Sequence, residues 1–203
     1  MRIINLLKFL AIVLVMTAIG STDAKGQNLT GAQMNIYFGH PKKVRMSNQQ
    51  GAIVTEFDRD GRILSVSQGN MRMVYDWSAH RDSVTLSMYQ GPNMKDAGLI
   101  EISEFTKTAY RYKVAGLEYK VEFKENGAML RNVTSNAQVS TTSTYLYRAE
   151  SDMFPYAIEQ TMGDQAIRWT VTINQTDSYG NPTEFTQETI GMKNVTRFEI
   201  EYY

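Results

Sequence analysis

From Ile36 to the last residue the chain alternates apolar and polar residues with a period of two, and short Gly, Asn, Asp or Pro pairs keep interrupting the alternation. A period of two puts successive side chains on opposite faces of a strand, whereas a helix would repeat every 3.6 residues. Residues 52–77 (AIVTEFDRDGRILSVSQGNMRMVYDW) set out the plan: a strand ending in an aromatic, an Asp/Gly turn, a returning strand, and a Gly-Asn break. Met71, Met73, Tyr75 and Trp77 share one side, with Arg72, Val74 and Asp76 on the other. Leu117, Tyr119, Val121 and Phe123 oppose Glu118, Lys120, Glu122 and Lys124 in the clearest case. Trp169, Val171 and Ile173, then Phe198, Ile200 and Tyr202, repeat the arrangement. Strands with one apolar and one charged face are antiparallel in habit.

Turn chemistry separates these runs at His40-Pro41, Asp60-Gly61, Gly69-Asn70, Gly91-Pro92-Asn93, Asn126-Gly127, Gly163-Asp164 and Gly180-Asn181. Each supplies positive φ or proline's fixed φ where a hairpin needs it. One set of turns falls near Pro41, Gly61, His80, Thr106–Thr108, Asn126, Asp152 and Gly180, a spacing of about twenty residues that loosens late. No helix is expected: Ala149–Gln160 is interrupted by Pro155 and reads as a long turn entering a strand. The fold class expected is all-β: an antiparallel meander of successive hairpins, on the order of 12–16 strands, in one strongly curled, half-barrel or barrel-like sheet.

Residues 1–26 read as a removable signal peptide. Arg2 and Lys8 precede the apolar stretch Phe9–Ile19, and small polar residues follow, with cleavage expected after Ala24 or Gly26. Eleven helical residues reach only ~16 Å, short of a ~30 Å bilayer core. Residues 27–35 form a polar lead-in and 36–203 a single hairpin-repeat domain. Losing Arg2, Lys8 and Lys25 leaves 18 basic residues, and losing Asp23 leaves 20 acidic ones. The near balance gives no field for nucleic acid, and the absence of cysteine removes disulfides, thiolate chemistry and lipid acylation.

The unit Phe57-Asp58-Arg59-Asp60-Gly61-Arg62-Ile63 resembles the YD-repeat (RHS-like) sequences of exported bacterial proteins. It returns as Asp177-Ser178-Tyr179-Gly180-Asn181-Pro182-Thr183, and Tyr75-Asp76-Trp77 keeps its opening pair. The closing stretch Thr196–Tyr203 is similar to the last strand of small exported proteins of this kind. The resemblance implies export and a β-hairpin style of fold; the shell that such repeats build around an enzyme in large toxins has no cargo here.

Glu56, Asp58 and Asp60 resemble part of a calcium loop, but Ser67 stands where a bidentate glutamate belongs. His40 and His80 lack metal-ligand spacing, and His80-Arg81-Asp82-Ser83 lacks the elbow of a hydrolase nucleophile. Glu101, Glu104, Glu118, Glu122, Glu184 and Glu188 sit at alternate strand positions, as on a wet face, and leave a secreted paired-carboxylate hydrolase as a lesser alternative. Tyr89, Tyr145, Tyr147 and Tyr156 are candidates for stacking on sugar rings from the open side of the sheet. Runs of six or seven residues, and Glu201, Glu199 and Arg197 in phase with Tyr203, argue against an outer-membrane strand. The expectation is an exported, periplasmic or secreted, non-enzymatic module of the cell envelope. It has no catalytic, cofactor or metal residues, and no transmembrane span after cleavage. Its ligand or partner would be an unidentified glycan, lipid or protein. A periplasmic carrier of lipid or apolar peptide is the alternative.

Overall fold

The computed structural model describes residues 39–49, 51–59, 62–80, 83–106, 108–114, 116–138 and 140–203. The signal peptide and lead-in assigned from sequence lie outside the described residues. Fourteen strands follow one another: β1 (Pro41–Asn48), β2 (Gly51–Phe57), β3 (Ile63–Gln68), β4 (Met71–His80), β5 (Ser83–Gln90), β6 (Asn93–Phe105) and β7 (Ala109–Val114) form the first half. The second half is β8 (Leu117–Phe123), β9 (Met129–Ser135), β10 (Ser140–Leu146), β11 (Ala157–Met162), β12 (Gln165–Thr176), β13 (Pro182–Thr189) and β14 (Met192–Tyr202). Each strand pairs antiparallel with its neighbour in sequence, and β1 pairs with β14 to close the barrel. The curled meander expected from sequence is therefore a closed one, which removes the two outermost edges.

The positions of the twenty-residue rhythm lie at one end of the barrel, where odd-numbered strands begin and even-numbered ones finish. This loop end carries the five-residue connections 58–62, 124–128 and 177–181 and the long connection 147–156. The opposite, turn end is mostly made of two-residue hairpins such as Gly69-Asn70, Gly163-Asp164 and Ile190-Gly191. Pro41 does not sit in a turn as read from sequence. It is the first residue of β1, where its missing N–H costs no ladder bond.

Seven of the described strands outrun the six or seven residues read from the alternation: β1, β5 and β13 by a single residue, and β6 with 13, β12 with 12, β14 with 11 and β4 with 10 by more. Two of them explain the misreading. β6 pairs with β5 from Asn93, but with β7 only from Glu101. β12 pairs with β11 from Gln165, but with β13 only from Thr170. Asn93–Leu99 and Gln165–Arg168 thus stand above the closed wall and are exposed on both faces, so burial no longer separates one phase of the strand from the other.

Within the wall the pattern resolves sharply. Val44, Met46, Ile53, Val66, Met73, Tyr75, Leu86, Tyr119, Val121, Tyr145, Phe185 and Phe198 are buried and share the inward phase of their strands. The outward phase carries ion pairs along most of the circumference, among them Lys43 with Glu201, Arg72 with Glu56, Arg111 with Glu118, Arg168 with Glu159 and Arg197 with Glu184. Such exposed pairs add little stability each. They make the convex face the charged one.

Candidate ligand site in the barrel interior

Eight strands make a barrel that one layer of side chains fills or nearly fills; fourteen enclose more. Long side chains span part of that width. Tyr75 of β4 is near enough to raise the pKa of Tyr112 of β7 although two strands separate theirs, and Tyr145 of β10 does the same to Tyr110 of β7. Tyr112 stacks on Tyr119 with ring centres 4.7 Å apart, and Tyr110 lies 5.3 Å from Phe123. Burial pushes the phenols of Tyr75, Tyr110, Tyr112 and Tyr145 well above their ordinary range, and that of Tyr119 to about 12. These groups stay neutral donors and acceptors at any physiological pH.

The remaining lining is soft. Among the described residues every strand methionine except Met94 takes the inward phase: Met46, Met71, Met73, Met88, Met129, Met162 and Met192. Met162 and Ile167 carry that phase above the wall, on the β11–β12 hairpin, and are 54% and 44% exposed. Unbranched thioether side chains repack readily around an apolar guest. Trp77, Ile102, Tyr112, Phe123, Ile173 and Ile200 pack on the core yet are only partly buried, although their strand phase is inward.

One polar row crosses this lining. Asn132 of β9 faces Ser143 of β10, which faces Gln160 of β11. Gln160 Nε2 donates to Ser143 Oγ (3.5 Å), and Trp169 Nε1 donates to Gln160 Oε1 (3.1 Å). The Ser143 hydroxyl is also hydrogen-bonded to that of Tyr145. No charged side chain takes an inward position within the described walls of β8, β10, β11 or β12.

The loop end is tied down. Lys124, whose side chain is 2% exposed, donates from Nζ to the carbonyls of Ala149 (3.3 Å), Glu150 and Asp152 (3.3 Å) and sits 4.4 Å from the Tyr147 ring centre. Tyr147 in turn donates its hydroxyl to Met129 O (2.6 Å), and Phe154 packs on the core. At the closing seam, Asp177 accepts from the Tyr202 hydroxyl, the backbone N–H groups of Tyr179 and Asn181 (2.9 Å each) and Asn181 Nδ2 (3.3 Å). Burial would raise its pKa, but these hydrogen bonds outweigh it and hold the carboxyl below its ordinary value. Gly39, at φ +75°, lies against the Tyr179 ring, where a Cβ would stand 2.9 Å from a ring carbon. Tyr203 donates to Phe57 O (2.6 Å).

The residues singled out from sequence are dispersed. Asp58 accepts from Arg62 N–H (2.7 Å) as a turn cap, while Glu56 pairs with Arg72 and accepts from Ser65 on the outer face. His40 precedes β1 and His80 ends β4, whereas Asp60, Gly61, Arg81 and Asp82 lie outside the described residues. Glu104 and Glu118 flank Arg111, and Glu122 pairs with Lys120, Glu188 with Lys193 and Glu184 with Arg197. Hydrogen bonds from Arg197 and Asn174 lower the Glu184 pKa, opposite to what a general acid needs. Closure leaves no open side for the four unplaced tyrosines. Tyr145 is inside, Tyr147 holds the long loop, Tyr156 lies under Arg148, and Tyr89 faces Arg72. Asn132, Ser143 and Gln160 were not found from sequence. Their signal is a polar residue in the apolar phase at matching rungs of three consecutive strands.

No protein-family model matches this chain, and no curated protein does. Among solved structures, a porin-like protein from Bacteroides vulgatus is similar over 81% of this chain and 99% of that chain, at 14% identity and a TM-score of 0.46.

Proposed function

We propose that the chain is an exported, non-enzymatic β-barrel of the cell envelope that holds an apolar ligand in its interior. The observation that carries the reading is the sense of the lining: apolar, methionine- and tyrosine-rich inside, ion-paired outside. A barrel that spans an outer membrane needs the reverse, an apolar band facing lipid and a polar lumen. Barrel interiors and mouths are recurrent ligand sites, and fourteen strands give more room than the small barrels that hold one such guest. A periplasmic carrier of lipid or apolar peptide is the narrower form of this proposal. The YD-repeat likeness belongs with it, supported by a shared turn geometry. Asp58 and Asp177 each accept from the backbone N–H four residues on, in a loop closed by a bond from their own N–H.

The test is uptake. The chain from Gln27 onward, purified from an exporting host without detergent, is extracted with organic solvent for mass spectrometry and titrated with diphenylhexatriene. A saturable rise in fluorescence at about one probe per barrel, with or without a co-purified lipid, is the expected result. No rise, together with an empty extract, would sink the reading.

A further inference from the structure

Asn132 is 6% exposed, points into the interior from β9, and its side-chain oxygen has no hydrogen-bond partner. An unmet buried acceptor is costly and uncommon in a folded protein. Its neighbours on the same rung, Ser143 and Gln160, are already engaged with Tyr145 and Trp169, so the row is built and hydrogen-bonded except at its Asn132 end. Tyr119 and Val121 of β8, both 1% exposed, and Tyr145 of β10 surround it with inward neighbours that carry no charge.

We infer that this rung recognises the head group of the ligand, and that the ligand is an uncharged amphiphile: an aliphatic chain ending in a hydroxyl or amide N–H that donates to Asn132 Oδ1. The inference rests on the proposed interior ligand and names its chemistry. A carboxylate or ammonium head would be stripped of water here with no counter-charge among the inward residues of β8, β10, β11 and β12, which is a heavy penalty. A hydrocarbon with no donor would leave the acceptor unmet. The chain part has a place in the methionine lining, which continues through Met162 and Ile167 above the wall at the turn end. A few placed polar groups in an apolar enclosure are the usual means by which such sites fix orientation.

The experiment compares competitors against bound diphenylhexatriene, which has no donor of its own: dodecan-1-ol, dodecyl methyl ether and dodecanoate. Dodecan-1-ol should displace the probe at about one-tenth the concentration of the ether, the worth of one neutral hydrogen bond, with dodecanoate the weakest. In Asn132→Leu, which keeps the branched outline of the side chain but removes its acceptor, the ratio of ether to alcohol concentrations needed for displacement should fall from about ten to about one. Equal displacement by alcohol and ether in the unaltered protein, or an advantage that survives Asn132→Leu, overturns the head-group assignment and leaves the interior-ligand reading standing. Failure of the unaltered barrel to take up diphenylhexatriene overturns both. The comparison of competitors on the unaltered protein holds whether or not the variant folds.

Discussion

The two ends of the barrel solve the same problem differently. Both must join antiparallel strands, but the loop end does it with side chains that reach across to bond the connections, and the turn end mostly with short glycine-bearing hairpins. In the turn between β9 and β10 the Asn136 side chain caps its own turn. At the loop end, Lys124 gathers three carbonyls of the 147–156 connection, Asp177 collects four donors, and Tyr203 ties the last residue to the β2–β3 corner. At the turn end, Met162, Ile167, Ile190 and Met192 stand exposed on or beside two-residue hairpins. The contrast teaches where stability is concentrated.

The largest effect expected of any single change at the loop end belongs to Lys124. Lys124→Met keeps length and apolar bulk but removes the donor shared by the carbonyls of Ala149, Glu150 and Asp152. Unmet buried acceptors cost about 1–3 kcal/mol each, and Asn126 Nδ2 still reaches two of these carbonyls, so a loss of about 3 kcal/mol is expected. The exposed Glu150 carboxylate contributes little to that figure. Urea unfolding followed by tryptophan fluorescence measures it. A loss below about 1 kcal/mol would mean that the long loop is held by Tyr147 and Phe154 alone.

Asp177 comes next, and it adds a pH dependence. Asp177→Ala removes the acceptor for Tyr202, Tyr179 and Asn181 and should cost about 2 kcal/mol at pH 7. Because the folded-state pKa lies below the ordinary 3.8, the stabilisation is complete above that value and is lost as pH falls through the folded pKa. The gap in urea midpoint between the unaltered chain and the variant should therefore be constant from pH 7 to about pH 5 and narrow towards pH 2. A gap that persists unchanged into acid would assign the effect to packing of the Tyr179 and Tyr202 rings, whose centres are 4.5 Å apart, rather than to the carboxylate.

These two networks also show how far the sequence could be read. Asp177 was legible, because an Asp-x-x-Gly-Asn run between strands is turn chemistry wherever it occurs. Lys124 was not: it closes the most regular alternation in the chain, Leu117–Lys124, and reads there as one more wet-face lysine. Its burial depends on a loop more than twenty residues away. The strand phases were legible because the barrel wall enforces one buried face, as Met71, Met73, Tyr75 and Trp77 show. Closure was not, since the pairing of Met46 with Phe198 joins segments some 150 residues apart and no local signal specifies that register. The strand lengths of β6 and β12 failed for a related reason: above the wall neither face is buried, so Asn93–Leu99 carries no period. Asn132 was missed because a lone asparagine in Met129–Ser135 has meaning only beside Ser143 and Gln160.

The smallest expected effect lies at the turn end. Ile190 is 99% exposed at the apex of the β13–β14 hairpin, between the paired residues Thr189 and Met192. Its side chain buries nothing, so Ile190→Asn removes no core contact, and it makes the pair preceding Met192 an Asn-Gly, the commonest two-residue hairpin turn. The unfolding free energy from urea titration should change by no more than about 0.5 kcal/mol, in the stabilising direction if in either. Diphenylhexatriene uptake should persist, because the lining below the rim is untouched. A loss above about 1 kcal/mol would break the comparison, since an exposed apex could carry such weight only if the turn end were packed against something, and an apolar surface such as a second copy of the chain would then show as a protein-concentration dependence of the urea midpoint.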